Sequence, residues 1–123
     1  MGLAWSMDFD RFTFGLYLRP AEAPALDDEQ AAAIQDEHLA YLASLGRSGR
    51  LVAAGPFEDQ DDPVLRGVMI FSTGVEEARS LLSEDPAVRA GELAFKLMSW
   101  LTPAGAVSFH AVGFPRSMKE ATT

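Results

Sequence analysis

Two stretches in the second half of the chain are apolar on both faces of an extended backbone. In Gly67–Thr73, Val68 and Ile70 alternate with Met69 and Phe71; in Leu93–Leu101, Leu93, Phe95, Leu97 and Leu101 alternate with Ala94, Met98 and Trp100. A strand with large side chains on both sides must be covered on both sides, so each belongs inside a layered structure. This requirement restricts the folds open to a chain of 123 residues, which is long enough for a single core and too short for two. We therefore expect one domain over 1–123, with a core at about 12–101, an arm at 1–11 and an extension at 102–123.

The remaining elements follow from periodicity and punctuation. Met1 to Asp10 holds Trp5 and Phe9 without a sustained period and reads as an irregular arm. In Phe12–Arg19, Phe12, Phe14, Leu16 and Leu18 share one face and Thr13, Gly15 and Tyr17 the other, a strand whose Phe12 row is expected in the core. Pro20 ends it, Pro20–Leu26 is a loop, and Asp27 or Asp28 caps a helix to about Leu45, where Gly46 and Gly49 close it. Arg50–Ala54 is a short strand ending at the turn dipeptide Gly55-Pro56, which lets the backbone approach something closely. After Gly67–Thr73 comes a helix over Val75–Leu82, and Asp85-Pro86 breaks or re-caps it. Val107–Phe114 is expected as a fifth, edge strand, followed by a mobile tail.

Strand, helix, strand, strand, helix, strand folds most simply as an α+β, ferredoxin-like βαββαβ sandwich: one four-stranded antiparallel sheet with both helices on one side. Two helices cover only one face. The other would carry an apolar patch, here assigned to Tyr17, Met69, Phe71, Met98 and Trp100, larger than a monomer tolerates. A second copy meeting it sheet to sheet is the expected partner, because isologous dimers are the commonest assembly.

Charge and composition exclude several functions. The net charge of −8 repels nucleic acid, and no basic cluster offsets it. No run approaches the ~20 apolar residues of a membrane helix, and the start lacks a signal-peptide pattern. The absence of cysteine excludes a thiol nucleophile and disulfides and suits the cytoplasm, the expected location. Ser44, Ser48, Ser72, Ser83 and Ser99 lie in no nucleophile-elbow motif. The acidic loop Glu58–Pro63 lacks the pattern of a calcium loop and reads as a solvated turn, while His38 and His110 lie on distant elements, so no metal is expected. No glycine-rich loop follows a strand to cradle phosphates, so no nucleotide cofactor is expected either.

His38 remains. It lies four residues after Ile34 and four before Leu42, on the apolar stripe of the first helix, where a histidine is either a hydrogen-bonded core residue or a reactive group at a cavity. Tyr17 and Arg19, on the strand face away from the Phe12 row, are expected to line a ligand pocket toward the partner sheet, with Gly55 and Pro56 contributing backbone.

The run of His38, Leu39 and Leu42, then Gly49-Arg50-Leu51 leading to Ala54-Gly55-Pro56-Phe57, Gly67 opening a strand, Glu77-Ala78, Asp85-Pro86, Gly91 and a strand to Trp100 resembles the YciI-like (YCII-related) family of dimeric α/β-barrel proteins over about Phe12 to Leu101. That resemblance implies a ferredoxin-like fold, a dimeric barrel and an active site centred on a His/Asp pair, falling here on His38 and Asp85. Lactone isomerisation and related eliminations occur among similar barrels. A histidine beside a carboxylate is a workable general base, because the carboxylate fixes the tautomer and stabilises the imidazolium. The expectation is a cofactor-independent enzyme moving protons on a small organic acid or lactone; the alternative is a non-catalytic ligand-binding or regulatory homodimer. The arm, the Pro20–Leu26 loop and the extension after Pro103 depart from the family pattern and are expected to reshape the pocket.

Overall fold

The computed structural model describes residues 7–123. The elements are β1 (Phe9–Leu18), α1 (Asp28–Arg47), β2 (Leu51–Pro56), β3 (Leu65–Phe71), α2 (Val75–Ser83), a single turn α3 (Pro86–Arg89), β4 (Ala94–Pro103) and α4 (Met118–Thr122). The four strands form one sheet in the order β2-β3-β1-β4, every neighbouring pair antiparallel. Each βαβ half thus interlocks with the other, which is the ferredoxin-like α+β arrangement expected from the element order.

The capping residue of α1 is Asp27: its carboxylate accepts from Gln30 N at 2.8 Å, and the Gln30 side chain accepts in return from Asp27 N at 3.2 Å. At the other end α1 runs through Gly46 to Arg47, and the positive φ that releases the chain is at Gly49 (79°). Gly46 serves differently. A Cβ there would lie 2.9 Å from the ring of Phe114, so its smallness makes room for the C-terminal segment.

The faces of β1 are the reverse of the expectation. Thr13, Gly15 and Tyr17 are buried beneath the helices, whereas Phe12, Phe14, Leu16 and Leu18 point to the open side. The covered core joins Tyr17, Met69 and Phe71 of the sheet to Leu51 of β2, Leu42 and Leu45 of α1, and Ala78 and Leu82 of α2. The reason is room. A Cβ at Gly15 would stand 2.9 Å from Leu97 Cδ2 and 3.0 Å from Met69 Cε, so side chains from both neighbouring strands close over the glycine. The Thr13 hydroxyl is satisfied by Thr73 O at 2.7 Å. Tyr17, Met69 and Phe71 therefore leave the open-face patch, and Phe12, Phe14, Val68 and Ile70 join Met98 and Trp100 there. Across that face Phe12 pairs with Trp100, and Phe14 with Met98 on one side and Ile70 on the other. The Phe12 and Trp100 rings lie 6.0 Å apart.

The termini differ as well. Phe9 and Asp10, placed in the arm, belong to β1, while Trp5 lies outside the described residues. Gly55 and Pro56 are the last residues of β2 rather than a turn. Val107–Phe114 forms no fifth strand. A turn at Gly105 (φ 80°), closed by Ala106 N to Pro103 O and tied to Asp10 Oδ2, leads the chain off the β4 edge. Phe109 then packs edge-on to Phe12 at 5.2 Å. The tail, expected to be mobile, forms α4, whose Met118 N–H donates to Asp36 of α1 at 2.8 Å.

Candidate active site

His38 enters the site from the buried stripe of α1, alongside Leu42 and Leu45. Asp85 arrives from the short connection between α2 and β4, where Pro86 occupies the first position of α3 and Asp85 is its capping residue. The cap is observed directly: Ala87 N donates to Asp85 Oδ1 at 2.9 Å. The same carboxylate meets His38 Nδ1 at 2.9 Å from both oxygens, and Tyr17 Oη donates to Oδ2 at 2.5 Å. Capping the turn and orienting the histidine, alternatives in the sequence, are thus performed by one side chain.

Asp85 is fully buried and His38 nearly so. A buried carboxylate is costly unless donors surround it, and here an amide, a phenol and an imidazole do. Because an ionised carboxylate only accepts, a neutral imidazole in this contact carries its proton on Nδ1 and its lone pair on Nε2. No hydrogen bond reaches Nε2 among the described residues, and no buried polar side-chain atom among them lacks a partner, so Nε2 is the accessible nitrogen. Burial, the Asp85 charge and the hydrogen bond to it together push the Tyr17 phenol far above its ordinary pKa, so it stays a donor throughout the physiological range. The Tyr17 and His38 rings meet edge to face at 5.3 Å.

His38 and Tyr17 form part of the wall of a cavity of about 860 Å³. Its apolar lining comes from Ile34, Leu39 and Leu42 of α1 and from Leu65 and Leu93, and its remaining walls include Arg19, Gly55, Pro56 and the loop Gln60–Pro63. Asp85 stands behind His38, outside the lining. The cavity lies between α1 and the β2–β3 side of the sheet, so Tyr17 and Arg19 reach it from the helix-covered side and not, as expected, toward a partner sheet. Arg19 is engaged: its Nη1 pairs with Glu92 at 2.9 Å. Gly67 keeps the β2–β3 rim tight, since a Cβ there would lie 2.7 Å from Gly55 O.

Sequence reasoning missed the hydrogen bond from Tyr17 to Asp85, because Tyr17 was placed on the wrong face. It also missed Arg66 and Gln35 in the lining, and the wall supplied by Phe114 and Met118. No periodic or motif signal marks these four. Among the described residues no three His, Asp or Glu side chains converge as metal ligands, and no helix is long and apolar enough to cross a membrane.

The chain has no match among curated proteins. Among solved structures it is similar to 5-chloro-2-hydroxyhydroquinone dehydrochlorinase (TftG) from Burkholderia phenoliruptrix AC1100, determined in complex with 2,5-dihydroxybenzoquinone. That likeness has a TM-score of 0.48 and 20% identity, covering 72% of this chain and 90% of the other. Residues 13–100, which run from the middle of β1 nearly to the end of β4 and include Tyr17, His38 and Asp85, match the model of the YCII-related domain, and the chain belongs to that family.

Proposed function

We propose that the protein is a cofactor-independent enzyme of small-molecule metabolism in which His38 moves a proton on a small organic acid or lactone. The observation that carries this reading is the His38 Nδ1 contact with both oxygens of a fully buried Asp85, at 2.9 Å each, with Nε2 left free beside a cavity. Nε2 takes a proton from a carbon acidified by a neighbouring carbonyl. Asp85 stabilises the imidazolium that forms, and Tyr17 and Ala87 N hold Asp85 in place. The proton then returns to the substrate at another atom, giving isomerisation, or is kept while a leaving group departs, giving elimination. Such positioned acid–base groups supply roughly 10²- to 10⁴-fold. The apolar walls of the cavity exclude water, and Arg19, Gly55 and Pro56 contribute to ligand binding. The assembly is a homodimer through the open sheet face, acting in the cytoplasm.

Proton exchange in D₂O tests the chemistry without requiring the physiological substrate. A panel of lactones and β-substituted carboxylic acids is incubated with the enzyme and followed by proton NMR. Wild type is expected to wash out the acidic C–H of at least one class, and His38→Ala to lose that exchange. Asp85→Asn should retain the fold, with exchange reduced at least ~10²-fold, since the amide keeps the shape but cannot stabilise an imidazolium. Saturable binding with no exchange by wild type would replace catalysis with ligand binding alone.

A further inference from the structure

The segment after Gly113 is anchored at both ends of its path over α1. Phe114 seats its ring against Gly46, where a Cβ would come within 2.9 Å of Cδ2 and 3.0 Å of Cε2. One turn further on, Met118 N–H donates to Asp36 Oδ1 at 2.8 Å. Ser117 caps the short α4 by accepting from Glu120 N, and Arg116 pairs with Glu120 at 2.9 Å, so the segment is also internally braced. Along this path Phe114, Pro115, Met118 and Ala121 form a wall of the cavity that holds His38. The anchors are few and lie near the surface: Met118 is 41% exposed, and the Met118–Asp36 hydrogen bond is exposed. Just before the wall, Val112 is 65% exposed and a Cβ at Gly113 would touch nothing, which leaves a lightly packed pivot.

We propose that Phe114–Thr122 is a strap that walls the His38 cavity and lifts at Gly113 to admit a ligand, with Phe114 and Met118 as residues that select for ligand shape. This inference rests on the cavity being the ligand site, but it needs only access to His38, not turnover. An ordered wall held by one ring, seated on Gly46 at the edge of the core, and by one exposed hydrogen bond opens more readily than the packed core itself, while its apolar side chains keep water from the imidazole when seated.

Two measurements on the full-length protein test the strap. Trypsin cleavage after Arg116 and Lys119 reports its release. Diethyl pyrocarbonate, which acylates an accessible unprotonated imidazole nitrogen, reports access to His38, with the exposed His110 as internal reference. Gly46→Val, which fills the Phe114 seat, and Asp36→Ala, which removes the second anchor without altering the seat, should each accelerate both reactions by about tenfold. Wild-type rates of both reactions in both variants would overturn the proposal. Faster trypsin cleavage with an unchanged His38 acylation rate would also overturn it, because the segment would then be anchored as described without controlling the cavity. Failure of the proton-exchange test alone would leave these rates as stated and count against catalysis, not against the strap.

Discussion

The phenol of Tyr17 donates to Asp85 from beneath the helices, and that placement makes a pH-dependent contribution to stability with a definite sign. Burial and the carboxylate raise the folded-state pKa above the ordinary value of 10.0, so on raising the pH the unfolded chain releases this proton first. The contribution is fully present below about pH 10 and is lost as the pH rises above it. Tyr17→Phe removes a hydrogen bond to a charged group, expected to cost about 2 kcal/mol at neutral pH. The gap between wild type and variant should then narrow above about pH 10, by at most ~1.4 kcal/mol per pH unit. Urea titrations of both proteins between neutral pH and pH 11 check this, and a constant gap would mean that the phenol is not buried against the carboxylate. At this scale the sequence marked His38 by its place on an apolar stripe, but the third partner was illegible, because nothing local to β1 says which face of that strand the helices cover.

At the scale of the element, α1 carries the site: it supplies His38, the apolar wall of Ile34, Leu39 and Leu42, the Gly46 seat and the Asp36 anchor. Its start is defined by the reciprocal capping of Asp27 and Gln30, and the carboxylate lies where the helix dipole favours negative charge. Asp27→Ala is expected to cost about 1 kcal/mol and to lower the thermal midpoint by a few degrees, as read by circular dichroism. The cap was legible in the sequence to within one residue, Asp27 or Asp28, because capping is local, and the reciprocal bond with Gln30 three residues on settles it on Asp27. Asp85-Pro86 was read as a helix breaker for the same reason, and α3 is that break turned into a single capped turn. The Val107–Phe114 stretch misled because its strand-like composition serves two isolated aromatic contacts, Phe109 on Phe12 and Phe114 on Gly46.

For the whole molecule, the face of the sheet away from the helices is apolar among the described residues. Phe12, Phe14, Val68, Ile70, Met98 and Trp100 lie on it across three adjacent strands, and Met98 is 38% exposed. An apolar area of that kind calls for a partner, and the proposed homodimer covers it with its own copy. Met98→Glu places a charge on the edge strand of that face, opposite Phe14. It is expected to convert the dimer to monomer at micromolar concentration while leaving the helix-side core and the His38–Asp85 contact in place. Sedimentation of wild type and variant reads the result directly, and a wild type that sediments as a monomer would remove the dimer. Because the cavity lies on the helix side, the variant should still show diethyl pyrocarbonate access to His38.

By itself the sequence determined what local order can specify: the alternation of the core strands and helices, a cap at Asp27 or Asp28, a break or cap at Asp85, a release between Gly46 and Gly49, the apolar stripe bearing His38, and a βαββαβ order whose simplest closure is the observed sheet. These depend on spacings of two to four residues, over which backbone geometry and hydrogen bonding act directly. Only the tertiary structure decided which face of β1 lies under the helices. Both its faces carry apolar groups, and the choice fell to the close packing of Leu97 and Met69 over Gly15. It also brought together Tyr17, His38 and Asp85, the outer two 68 residues apart in the chain. Finally it folded the C-terminal segment back onto Gly46 and Asp36 as a cavity wall. Contacts of that span are set by how layers pack in three dimensions, and neither periodicity nor propensity along the chain encodes them.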